Sequence, residues 1–202
     1  MEFLGFEAQD FEYFKNLEKI HNEENLKQRE NVKTNFRAFC YELQKIYHKN
    51  TNGFLELEKD FLKSNKKSDS LKARHRIDEN VYIDIVINQY GVGIYYNTQN
   101  KEIILNSKDK IWNYILSNKK SFISLNRITK TKYTEILKIN CLEMNSKAYD
   151  NIKTVLEENK EDKLNLYIGA FYTKSECIKQ KRQLANHFYE EFLKIYDLYK
   201  TL

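Results

Sequence analysis

The chain has 202 residues, a formal net charge of +5 from 34 Lys and Arg against 29 Asp and Glu, 41% apolar residues and a mean hydropathy of −0.74. An aromatic share of 14%, with 15 Tyr and 12 Phe, excludes general disorder, and the length suits one domain with a real core rather than two. No apolar run reaches the roughly 18 residues of a membrane span and no basic-then-apolar leader opens the chain, so a soluble, cytoplasmic protein is expected.

A short helix is expected over 10–19, with Phe11, Phe14 and Leu17 on one side. A longer helix follows to about residue 49, because Val32, Phe36, Phe39, Leu43 and Ile46 recur at steps of three and four and trace one stripe. Asn52 and Gly53 stop it, since both accept positive φ. Residues 54–63 read as a short helix, with a strand as the alternative. Residues 64–76 are polar, basic and aperiodic, and read as a loop. Val81, Ile83, Ile85 and Ile87 then alternate with Tyr82, Asp84 and Val86 at period two. With 92–96 and 102–105 they predict a three-stranded antiparallel meander.

Ser107 is placed to cap a helix that buries Ile111, Trp112 and Ile115. Strands are expected over 121–128 and 133–141. Ser146 is read as the cap of a further helix carrying Tyr149, Ile152 and Leu156 inward. A late strand over 164–170 precedes a final helix from about residue 174, with Leu184, Phe188, Phe192, Ile195 and Tyr199 at helical spacing. The chain lacks proline, so Asn, Asp, Ser and the five glycines must make its turns. The sum is a single α+β domain over 1–202, a mainly antiparallel sheet flanked by N- and C-terminal helices.

The order of these pieces resembles the YktB-like family of small bacterial proteins along the whole chain. The opening Gly5, Phe6, Asp10, Phe11 and Phe14 fit its Gly-Phe-x-x-x-Asp-Phe-x-x-Phe start. Residues 30–47 resemble its first long helix, 122–125 a mid-chain strand, and 166–169 with 174–178 its late strand and last helix. One departure stands out. The family's central His/Arg-rich segment is followed by prolines, whereas 72–80 here contain none.

Chemistry-bearing residues fall in three groups. Lys63, Lys66, Lys67, Lys72, Arg74 and Arg76 crowd fourteen positions opposed only by Asp69, with His75 among them. Lys119, Lys120, Arg127, Lys130 and Lys132 surround a predicted strand near Phe122. Both suit contact with phosphates, and Tyr82 and Tyr95, alternating with apolar neighbours, offer rings for base stacking. The third group, Arg182 and His187, has a spacing that resembles the Arg-x4-His motif of HEPN ribonucleases, which implies metal-independent RNA cleavage. Cys40, Cys141 and Cys177 form no C-x-x-C pair, so no disulfide framework, metal or cofactor is expected. Asp84 and Glu102 flank a predicted hairpin as nuclease carboxylates do, but no lysine lies two residues after Glu102, where that chemistry needs one. The leading expectation is a non-catalytic protein that binds DNA or RNA. A protein-interaction module and a ribonuclease using Arg182 and His187 are the alternatives.

Overall fold

The computed structural model describes residues 2–15, 23–62, 68–128, 133–159 and 162–202. Helix α1 (Ala8–Glu12) runs into a 3-10 turn at Tyr13–Lys15. Asp10 fixes this start, because its Oδ2 accepts from the Glu7 backbone N–H at 2.8 Å and from Asn35 Nδ2 at 2.7 Å. The helix thus begins earlier than expected, and residues 16–19 lie outside the described residues. Helix α2 (Glu23–Thr51) carries the anticipated stripe: Val32, Phe36, Phe39 and Leu43 are each 1% exposed or less. It ends where Asn52 takes φ +54 and donates its N–H to the His48 carbonyl at 2.9 Å.

The fold is α+β. A six-stranded antiparallel sheet comprises β1 (Ser70–Asp78), β2 (Val81–Asn88), β3 (Gly91–Thr98), β4 (Ser121–Ile128), β5 (Tyr133–Asn140) and β6 (Leu164–Thr173), in the order β1-β2-β3-β6-β4-β5. This is not the simple three-stranded meander of the sequence reading, and two expectations are corrected. The supposed loop over 64–76 is largely strand: Leu71 and Ala73 are buried while Lys72 and Arg76 point to solvent. Charged side chains on the outward face hid that alternation. Residues 63–67 lie outside the described residues. The supposed third strand, 102–105, is instead helix α3 (Glu102–Asn106), started by Asn100 Oδ1 accepting from the Glu102 N–H at 3.0 Å. A run as short as Ile103-Ile104-Leu105 has no period that distinguishes the two.

Helix α4 (Lys108–Ser117) buries Ile111 and Ile115 as expected, but leaves Trp112 half-exposed. Helix α5 (Ser146–Glu158) is capped by Asn145, not Ser146, through an Oδ1 bond from the Ala148 N–H at 2.9 Å. The single final helix is two, α6 (Lys174–Gln180) and α7 (Gln183–Thr201). Lys181 breaks them by adopting φ +48. Gly5, at φ +123, lies so close that a Cβ there would sit 2.8 Å from the Lys181 Cα.

Two compact units divide the chain. The first comprises Met1–Arg76, Asp84–Ile94 and Tyr172–Glu191. Its core is aromatic: Phe39 meets Phe3, Phe6 and Phe188 at centroid separations of 5.1, 5.3 and 5.1 Å, and Phe188 meets Tyr172 at 5.1 Å. The second comprises Ile77–Ile83, Tyr95–Phe171 and Phe192–Leu202. Ile111, Ile115, Ile123, Tyr149, Ile152 and Ile168 are each at most 1% exposed in it. No helix among the described residues is long and apolar enough to cross a membrane.

Candidate nucleic-acid interface

In the second unit, the register of the central strands separates an aliphatic face from an aromatic and polar one. Strand β4 lies antiparallel between β5 and β6. Ile123 pairs with Ile168 and Leu125 with Leu166, and all four are at most 2% exposed. Their neighbours turn the other way. Phe122 faces Gly169 and Asn140, Ser124 faces Tyr167 and Lys138, and Asn126 faces Asn165 and Glu135.

Three rings gather on this face. Tyr95 of β3 lies 5.8 Å from Phe122 and 5.3 Å from Tyr167, edge to face in both pairs. Tyr95 and Tyr167 are half-buried, and Phe122 is 7% exposed. The exposed Lys138 holds its Nζ 5.0 Å from the Phe122 centroid, within cation–π range. A polar row continues the face. Ser124 Oγ donates to Glu135 Oε2 at 3.2 Å, Asn126 Nδ2 to Ser124 Oγ at 2.9 Å, and Asn165 Nδ2 to the Tyr167 hydroxyl at 3.2 Å. Asparagine is disfavoured in strand interiors. Asn126 and Asn165 directly opposite each other therefore run against local preference on strands that are interior to the sheet. A register shift between Leu125 and Asn126 brings Glu135 rather than Ile136 opposite Asn126.

The basic residues expected to bind phosphate divide between the units. In the second, Lys119 and Lys120 form the turn that leads into β4 beside Phe122, with Lys119 exposed. Arg127, at the far end of β4, is held by Asp162, Nε to Oδ2 at 2.8 Å, and by a hydrogen bond from Nη2 to Asn159 Oδ1. Lys130 and Lys132 lie outside the described residues.

In the first unit, Arg74 makes a two-pronged contact with Asp84, Nε to Oδ1 at 2.6 Å and Nη2 to Oδ2 at 2.9 Å, and Lys72 Nζ lies 3.8 Å from the same carboxylate. Asp84 is 1% exposed, so two of the predicted phosphate-binding cations neutralise a buried acid. His75 Nδ1 lies 2.9 Å from the Glu56 carbonyl, and Arg76 is exposed. Lys63, Lys66 and Lys67 lie outside the described residues.

Arg182 and His187 do not share one helix. Arg182 sits in the break before α7, with Nη1 2.8 Å from Glu2 Oε1, while His187 stacks on Tyr172 with centroids 6.5 Å apart. Cys40 is fully buried, which pushes its thiol up to about 12. Among the described residues, no group of three or more His, Cys, Asp or Glu is placed to hold a metal ion.

Sequence reasoning found Tyr95 and Phe122 but missed Tyr167, Lys138 and the asparagine row. The signal for Tyr167 and Asn165 was available, since both alternate with Leu164, Leu166 and Ile168. Lys138 is assigned to this face only by the pairing of β5 with β4. No protein-family model matches this chain, and neither does any curated protein.

Proposed function

We propose that the chain binds single-stranded DNA or RNA, with bases on the half-buried Tyr95 and Tyr167, the buried Phe122 packed behind Tyr95, and phosphates on Lys138, Lys119 and Lys120. The observation that carries this reading is the group of three rings, with a lysine over one of them, on the sheet face opposite the aliphatic core. Any base offers a flat π-face, so stacking on such rings holds a strand without reading its sequence. In a duplex the base faces are already occupied, which favours the single strand. The half-buried Asn126 supplies an amide beside the rings, the buried Ser124 and Asn165 hold the polar row in place, and the exposed Glu135 adds one negative charge that disfavours phosphate at that corner.

Fluorescence anisotropy with a labelled oligonucleotide tests the proposal. Stacking contributes about 1–3 kcal/mol per base, so Tyr95→Leu and Tyr167→Leu should each weaken binding by roughly 5- to 150-fold in protein that circular dichroism shows to be folded. Equal affinity for single strand and duplex, or unaltered binding in the double variant, would refute it.

A further inference from the structure

A cleft of about 230 Å³ opens within the first unit. Its volume is below the roughly 300–1,000 Å³ typical of sites for drug-sized ligands, so its occupant is a small molecule or the end of a larger one. Arg29 and Lys33 are spaced i,i+4 on α2 and so share one face of that helix. They are 8% and 4% exposed, so both cations are held almost out of water at the cleft wall. Lys33 Nζ lies 3.3 Å from Glu30 Oε1, whose side chain is 66% exposed. Lys72 and Arg74 extend the basic wall, with Asp84 as their shared partner.

Two carboxylates, Glu58 and Asp60, also line the cleft. Glu58 is fixed by a pair of main-chain bonds to Arg74, at 2.8 and 2.9 Å. Hydroxyls come from Ser68, from Tyr13 and from Ser70, whose Oγ donates to Asp69 Oδ1 at 3.1 Å. Phe61 contributes an apolar surface.

A bare anion would meet repulsion from Glu58 and Asp60, and a bare cation from Arg29 and Lys33. The lining suits a compact ligand that pairs an anionic group with several hydroxyl donors. Buried cations and serine hydroxyls match phosphate oxygens. Acidic side chains accept hydrogen bonds from sugar hydroxyls, as they do at ribose in dinucleotide sites. We propose that this cleft binds a sugar phosphate, its phosphomonoester against Arg29 and Lys33 and its hydroxyls against Glu58 and Asp60. The inference stands apart from the nucleic-acid reading, since it uses different residues in a different unit.

Isothermal titration with ribose 5-phosphate, inorganic phosphate and ribose decides it. Ribose 5-phosphate should bind at least about tenfold more tightly than either fragment, because only it engages both sets of groups. Glu58→Gln should shrink that advantage to about threefold or less, since it weakens the sugar-hydroxyl contact and relieves the repulsion that inorganic phosphate meets. Lys33→Met should abolish binding. Because that change alters a buried charge and threatens the fold, Lys72→Met, at a side chain 45% exposed, provides a second variant; about a threefold loss at unchanged melting temperature is expected. Two further arms, adenosine 5′-monophosphate and a 5′-phosphorylated oligonucleotide against its 5′-hydroxyl form, separate a free metabolite from a nucleic-acid end; preference for either phosphorylated form supports the site and assigns its source. Inorganic phosphate binding as tightly as the sugar phosphate, tighter binding of a zwitterionic amino acid, or no saturable heat with any probe would each overturn the proposal.

Discussion

Gly91 holds φ +154, and a Cβ added there would sit 2.0 Å from the Tyr172 carbonyl oxygen. Neither partner in that contact is a flexible side chain, so Gly91→Ala should cost about 2–4 kcal/mol in chemical denaturation; a loss under about 0.5 kcal/mol would show that the backbone yields there. Asp10 predicts a pH effect. Burial raises its carboxyl above the ordinary 3.8, against the lowering pull of the Glu7 N–H and Asn35 bonds. The folded protein then holds this proton more tightly than the unfolded chain does. Its contribution to stability is fully present below the unfolded value and is lost as pH rises through the raised folded one. Urea midpoints for wild type and Asp10→Asn, measured from about pH 3 to 7, should shift in favour of the variant as pH rises. A constant difference would contradict the assignment. Residues of this kind were only partly legible. The Gly5-to-Phe14 opening has a packing role that its spacing does not reveal: Phe6, Phe11 and Phe14 are at most 4% exposed and Asp10 closes the cap.

Among the elements, β1 shows how an ion pair can define a strand that composition conceals. Asp84 is buried beneath Arg74 and Lys72, whose side chains are 26% and 45% exposed. Asp84→Ala leaves Arg74 without its carboxylate and should cost about 3 kcal/mol, whereas Lys72→Ala removes a longer, solvated contact and should cost under about 1 kcal/mol. Equal losses in the two variants would mean that Arg74 is not the principal partner. Helix α2 was legible because a stripe at steps of three and four over a long span admits one period. Strand β1 was not, because only two buried residues, Leu71 and the small Ala73, are a weak signal among charges. The break between α6 and α7 was invisible for a different reason. It depends on Lys181 beside Gly5, residues remote in sequence that meet only in the folded chain.

For the whole molecule, the sequence carried the α+β class and some members of the aromatic face, but not its composition. Tyr95 and Phe122 could be read from alternation alone. Their juxtaposition with Tyr167 and Lys138 follows from the placement of β6 between β3 and β4 and of β5 outside β4, a strand order that local patterns do not encode. The same order reduces the part assigned to the 72–76 segment, since Arg74 and Lys72 already serve Asp84. In the proposed nucleic-acid reading, phosphate contact is left to about three lysines, Lys119, Lys120 and Lys138, and the logarithm of the binding constant should fall with the logarithm of salt at a slope of about −2 for a single strand. A slope near zero would remove lysine–phosphate contact from the account; a slope beyond about −5 would require many more cations than this face provides. The most direct measurement is photocrosslinking of the protein to a single-stranded oligonucleotide bearing 5-bromouracil, followed by peptide mapping. The crosslinks should fall on peptides containing Tyr95, Phe122 or Tyr167; crosslinks confined to α2 or α7, or none at saturating oligonucleotide, would contradict the stacking face.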